Sequence, residues 1–197
     1  LVLDVAAGSA AEKFAIANNI AYTTRAAMYK PTDISPFDVL VAEGTCGENA
    51  TWKLYKSGKL LISGSGAIDN YKQSTAPWYA YESKINTVII GKDITVIGNF
   101  AFAYMYSLKS VLFEEGSKLT AVNDRAFRYA INLTEIVLPD SVATIGYNAF
   151  GRCSKLVSMK LPELVASIDA TAFQQHNESL VLDVAAGSAA EKFAIAN

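Results

Sequence analysis

Between residues 85 and 178 apolar and polar positions recur in one fixed order. Each block opens with an apolar residue and a short alternation: Ile85-x-x-Val88-x-Ile90, Leu108-x-x-Val111-x-Phe113, Leu133-x-x-Ile136-x-Leu138 and Leu156-x-x-Met159-x-Leu161. The last two positions of each keep the period of a β-strand with one buried face. Turn residues follow: Gly91-Lys92-Asp93, Glu115-Gly116-Ser117, Pro139-Asp140-Ser141 and Pro162-Glu163. A second apolar pair comes next, Ile94/Ile97, Leu119/Val122, Val142/Ile145 and Val165/Ile168. Directly after it stand Gly98, Asn123, Gly146 and Asp169, residue types that tolerate positive φ and so predict a left-handed turn there. An Ala-Phe pair closes each block, and Phe102, Phe127, Phe150 and Phe173 are spaced by 25, 23 and 23 residues.

One such block cannot bury its own apolar columns. Stacking block on block places Ile on Ile and Phe on Phe, which makes one continuous core. The pattern therefore predicts a repeat solenoid, mainly β, of four coils of about 23 residues over 85–178. A solenoid exposes core at both ends unless each is covered. Before the repeats, Trp52-x-Leu54, a turn at Lys56-Ser57-Gly58 and Leu60-x-Ile62 predict a β-hairpin. Residues 45–84 are read as this N-terminal lid. Trp52 and Trp78 are suited to close the end, and an aromatic ligand site is the sharper alternative. After the repeats, 179–197 is read as a partial repeat and a capping helix. Ser188 and Glu191 have the spacing of a capping box, and Phe193 is the one large apolar anchor.

The segment Leu1–Asn18 is identical to Leu180–Asn197. Residues 1–18 are accordingly read as a copy of the C-terminal cap, the end of a preceding module, and 19–44 as a linker with Phe37–Val41 as a further strand. The expectation is one 179-residue period of a tandem array with an overlap, the alternative being an accident of where the fragment was cut. In an array, contact between neighbouring modules through residues 1–18 is expected.

The motifs LxxIxLP, V-x-x-I-G and A-F-x-x-C-x-x-L resemble the BspA-like leucine-rich repeats of bacterial surface proteins. Leu133–Lys155 carries the likeness best, with Leu133, Ile136, Leu138, Pro139, Val142, Ile145, Gly146, Ala149, Phe150 and Cys153 in place. The first two repeats lack the proline, Met105 and Ala130 stand where Cys is usual, and Ser179 replaces the leading Leu of the last partial copy. The block Cys46-Gly47, Trp52, Gly58-x-Leu60-x-Ile62-Ser63-Gly64-x-Gly66 and Pro77-Trp78-Tyr79 is similar to the one that precedes such repeats. The resemblance implies a non-catalytic cell-surface or secreted module for binding or adhesion.

Composition narrows the function without naming it. The formal net charge of −2 offers no basic footprint, which argues against nucleic acid. No apolar run approaches the ~20 residues needed to span a bilayer, so no membrane insertion by this segment is expected. Two cysteines, Cys46 and Cys153, do not make a disulfide scaffold, and two inert buried thiols are the expected reading. With one histidine, His176, and no CxxC, neither a metal nor a cofactor is expected, and no catalytic constellation is present. Gly64-Ser65-Gly66 lacks the helix and Lys-Ser/Thr of a phosphate loop. Asn49, Asn132 and Asn177 head formal glycosylation sequons.

The candidate binding face is the outward side of the first strand of each coil. One column reads Ile89, Leu112, Val137, Lys160, Asp183, and its neighbour Thr87, Ser110, Glu135, Ser158, Val181. Ile89, Leu112 and Val137 are expected to form an exposed apolar stripe for a protein or extracellular-matrix ligand on a host or neighbouring cell. The alternatives are ordinary strand surface, or a stripe covered by residues 19–44. At the level of function, the alternative is a structural spacer in a tandem array.

Overall fold

In the computed structural model the described residues are 34–196, together with the backbone of two short strands, β1 (Leu3–Ala6) and β2 (Tyr22–Arg25), which pair in parallel. The expected docking of residues 1–18 on a neighbouring module lies outside the described residues.

The N-terminal lid is an antiparallel meander of β3 (Leu40–Thr45), β4 (Asn49–Tyr55) and β5 (Lys59–Ala67). β3 thus begins three residues after the start of the expected strand Phe37–Val41. Gly58 turns the β4–β5 hairpin at φ 86°, where a Cβ would lie 2.5 Å from the Lys84 carbonyl. β5 is the joint between lid and coils. Its first half pairs in parallel with β6 (Thr87–Ile90), setting Leu60 against Val88 and Ile62 against Ile90. Its end pairs with β7 (Ile94–Ile97).

From there two parallel ladders run along the solenoid. The first continues through β8 (Ser110–Phe113), β10 (Glu135–Val137), β12 (Ser158–Lys160) and β14 (Val181–Asp183). It is interrupted between β8 and β10, the step where the repeat is longest. The second continues through β9 (Ala121–Val122), β11 (Thr144–Ile145) and β13 (Ser167–Ile168). The predicted apolar columns all face inward, and Leu108, Leu119, Leu133, Val142 and Phe127 among them are fully buried. Ser179 is exposed, and half-buried Leu180 takes the leading apolar place instead.

A third ladder joins the Ala-Phe turns. Phe100, Phe102 and Tyr104 donate their N–H groups to Asp124, Ala126 and Arg128 carbonyls at 3.1, 2.8 and 2.8 Å, and the next coils repeat the pattern. Of the eight left-handed non-glycine residues described, all but Ser74 sit here. They are Phe100, Arg125 and Asn148, two before the first three Phe, and Tyr104, Tyr129, Arg152 and Gln175, two after all four. The expectation of positive φ at Gly98, Asn123, Gly146 and Asp169 is corrected. Gly98 and Gly146 are needed for close approach: a Cβ would lie 2.1 Å from Asp69 O and 2.6 Å from Asp124 Oδ1.

Stacked rings run through the interior. Trp78 lies on Phe102, Phe102 on Phe127 and Phe127 on Phe150 at 5.3 Å each, and Phe150 on Phe173 at 5.6 Å. Trp52 closes one end edge-on to Trp78 at 6.0 Å, so the tryptophans are the lid and not an open ligand site. Phe193 closes the other at 5.8 Å, carried by helix α1 (Ala189–Ala196). The capping box forms with one shift. Ser188 Oγ accepts from Glu191 N–H at 3.0 Å, while Glu191 reaches the N–H of Gly187 at 2.7 Å.

Side-chain amides and carboxylates tie coil to coil outside the core. Asn70, Asn99 and Asp124 each accept from the backbone N–H of the next coil, at Asn99, Asp124 and Tyr147 respectively (2.7, 3.1 and 2.9 Å). Asn132 and Asn177 donate to Tyr106 and Ser154 carbonyls at 2.7 and 2.8 Å, so two of the sequon asparagines are engaged in the fold.

Candidate binding surfaces

The strand face holds its predicted residues in register. Thr87 lies beside Ser110 and Ile89 beside Leu112; Glu135 lies beside Ser158 and Val137 beside Lys160. Ser110 Oγ donates to Thr87 Oγ1 at 3.2 Å, which tightens the N-terminal half. The expected stripe of Ile89, Leu112 and Val137 is only partly there. Ile89 is 0% exposed, flanked in register by the half-buried Leu61 and Leu112, and it offers nothing to a ligand. Val137 is 45% exposed. The open apolar surface lies further along than expected, at Val137, Val157 (44%) and Val181 (64%), with exposed Glu135, Lys160 and Asp183 around it. The signal was in the sequence: Val157 and Val181 stand beside the inward columns of the last two strands.

A second surface was not read from the apolar pattern at all. It lies on the Ala-Phe turns. Two residues after each buried Phe stand Tyr104, Tyr129, Arg152 and Gln175, all left-handed. Tyr104 and Tyr129 stack at 4.9 Å, and Tyr106 meets Tyr104 edge-on at 6.3 Å. The guanidinium groups of Arg128 and Arg152 each lie 5.1 Å from the Tyr129 ring centre. Arg128 Nη1 donates to Tyr104 Oη at 3.4 Å. On the other side of the Phe column, Arg125 lies 5.3 Å from the ring centre of Phe100 and 4.4 Å from that of Tyr147. Three of the chain's four arginines are gathered on these turns. A shallow open cleft of about 370 Å³ is lined by Tyr129, Ile131, Arg152, Ser154 and Gln175. Burial, with the neighbouring phenols of Tyr79, Tyr104 and Tyr129 and the Glu82 carboxylate, raises the Tyr106 pKa.

Cys46 and Cys153 are separate buried thiols, each pushed up to about 12 by burial, and are unreactive. His176 is exposed in its turn, with Nδ1 3.0 Å from the Phe173 carbonyl. Among the described residues no group of three or more His, Cys, Asp or Glu is placed to hold a metal ion. No helix among them is long and apolar enough to cross a membrane.

Comparison with known proteins agrees with this architecture. A leucine-rich repeat protein from Eubacterium ventriosum is 22% identical, with a TM-score of 0.51 over 74% of this chain and 45% of that one. The chain thus spans less than half of that protein, and the likeness is one of fold. The T. pallidum leucine-rich repeat protein is 24% identical, with a TM-score of 0.49 over 70% of each chain. A leucine-rich repeat protein from Bacteroides ovatus is 20% identical, with a TM-score of 0.47 over 71% of this chain and 40% of that one. No curated protein matches the sequence. Residues 76–183 match the BspA type leucine rich repeat region, and since they make up more than half of the sequence, the chain belongs to that family.

Proposed function

We propose that the chain is a non-catalytic binding or adhesion module, displayed on a cell surface or secreted, that holds a protein or matrix ligand on its strand face. The observation that carries this reading is the set of exposed valines, Val137, Val157 and Val181, interspersed with Glu135, Lys160 and Asp183 on neighbouring strands. Exposed apolar residues set among charged ones on a rigid sheet suit the binding of a protein surface. Thr87, Ser110 and Leu112 extend the face toward the lid. Membership of a repeat family whose solenoids present extended surfaces supports the same reading.

The test is adhesion of beads carrying the protein to matrix-coated surfaces. Val137→Asp and Val181→Asp, both on exposed positions, are expected to reduce retention at least about tenfold while circular dichroism and the urea midpoint hold. Retention unchanged by both variants would remove the strand face from consideration.

The identity of Leu1–Asn18 and Leu180–Asn197 favours a second reading, a structural spacer in a tandem array. A polypeptide of two periods would then show two solenoids at a fixed separation in small-angle scattering, and no adhesion.

A further inference from the structure

The geometry points to the row Tyr106, Tyr104, Arg128, Tyr129, Arg152, Gln175 as a second interaction surface, one that receives an acidic segment of a partner protein. This goes beyond the strand-face reading and does not depend on it. Four features carry it.

The first is an unmet charge. The Arg152 guanidinium stacks on the Tyr129 ring and makes no hydrogen bond or ion pair among the described residues. Arg128 leaves its buried Nε without a partner. No carboxylate of the described residues lies within ion-pair distance of either arginine; Glu82 stands at the far end of the row, near Tyr106. The second is rigidity. Ring stacking holds the Arg152 fork over one face, so its free N–H groups lose little freedom when a carboxylate accepts from both. The third is backbone conformation. Tyr104, Tyr129, Arg152 and Gln175 sit at φ 61°, 63°, 60° and 56°. Bulky side chains there cost free energy that Gly or Asn would avoid, and such outliers cluster at binding sites. The fourth is composition. Tyr and Arg are the residues enriched at the energetic centres of protein interfaces.

The same observations select a protein over a sugar polymer. Tyr129 is stacked on Tyr104 and lies under the guanidinium groups of Arg128 and Arg152, which leaves that ring no open face for a sugar to stack on. Tyr106, 42% exposed and edge-on to Tyr104, supplies apolar contact at the end of the row.

The probe is a soluble Glu-rich decapeptide, with the Gln-for-Glu peptide as control and heparin as competitor, followed by NMR of the arginine side chains. The expected result is a titratable shift of the Arg152 Nε–Hε signal with the Glu peptide and none with the Gln peptide. Affinity falls about tenfold in R152Q, by less in R152K, and is unchanged in V137D, which alters only the strand face. No shift at millimolar Glu peptide, binding that survives R152Q, or heparin binding that outcompetes the peptide at this row would each overturn the proposal. The wild-type contrast between the two peptides decides the matter even if a variant fails to fold.

Discussion

The two ends of the solenoid are closed by different means. At the N-terminal end Trp78 is fully buried, stacks on Phe102, meets Trp52 and Tyr71 edge-on, and donates Nε1–H to the Ala101 carbonyl at 2.9 Å. The meander that carries Trp52 is continuous with both strand ladders through β5. At the C-terminal end the cover is one eight-residue helix in which only Ala190 is buried, with Phe193 tilted 54° against Phe173. A helix this short, below the ~12–15 residues that are marginal alone, holds its shape through the coil it packs on. Coils of a solenoid contact only their neighbours, so opening starts where the terminal interface is weakest. The difference teaches that, among the described residues, the two ends are covered by unequal buried surface although the inner columns repeat.

The largest expected effect breaks the stronger end. Trp78→Ala removes the ring that links lid and first coil and orphans the Ala101 carbonyl. It should lower stability by about 3–5 kcal/mol in urea unfolding. A loss under ~1 kcal/mol would mean that the lid does not hold the N-terminal end. The matching change at the other end is smaller. Phe193→Ala should cost about 1–2 kcal/mol, because the ring is half-buried. Its loss of hydrogen-exchange protection should stay within the last coil. Protection lost equally around Phe102 would show one cooperative unit in place of two unequal ends.

The thiols sharpen the same contrast. Cys46 is in the lid and Cys153 in the third coil, and both are buried with pKa values pushed up to about 12. At pH 8 a thiol reagent reaches them only through opening. Cys153 should label before Cys46 in the wild type, and the order should reverse in Trp78→Ala. Equal rates in both proteins would remove the contrast. Ser188→Ala, which deletes the helix cap, should cost about 1 kcal/mol and speed Cys153 only.

What could be read from the sequence was what stacking forces to repeat. Phe102, Phe127, Phe150 and Phe173 meet one another, so each position admits one kind of residue, and the column is visible without coordinates. The paired tryptophans were legible for the same reason, as large rings with no coil beyond them. Outward columns carry no such constraint. Ile89 looks like Val137 in the alternation, yet one is buried and the other 45% exposed, and the alternation carries no sign of that difference. The left-handed positions were misplaced because Gly98 and Gly146 admit two explanations, a positive φ and a close approach, and the second holds here. The tyrosine–arginine row escaped because its members look unrelated until the register sets them side by side.

The smallest expected effect concerns a clip between the first two coils, on the stronger side of the molecule. The Asp93 carboxylate accepts from Lys118 Nζ at 2.7 Å and Lys92 Nζ at 2.6 Å. These bonds, Lys118 first, hold its pKa at about 2, below the usual 3.8. A depressed carboxyl pKa stabilises the fold above the unfolded value, and that contribution fades as pH falls from 3.8 toward 2. All three groups face solvent, so the contribution is small and salt-sensitive. Asp169, near the other end, is lowered by bonds from Thr171 and titrates too, so the raw pH profile cannot isolate the clip. The difference between wild type and Asp93→Asn can. The urea midpoint of wild type should slightly exceed that of the variant at pH 7, and the two should converge as pH approaches 2. High salt at pH 7 should produce the same convergence. If the gap instead stays constant with both pH and salt, Asp93 acts through packing rather than charge, and acid leaves the inequality between the two ends untouched.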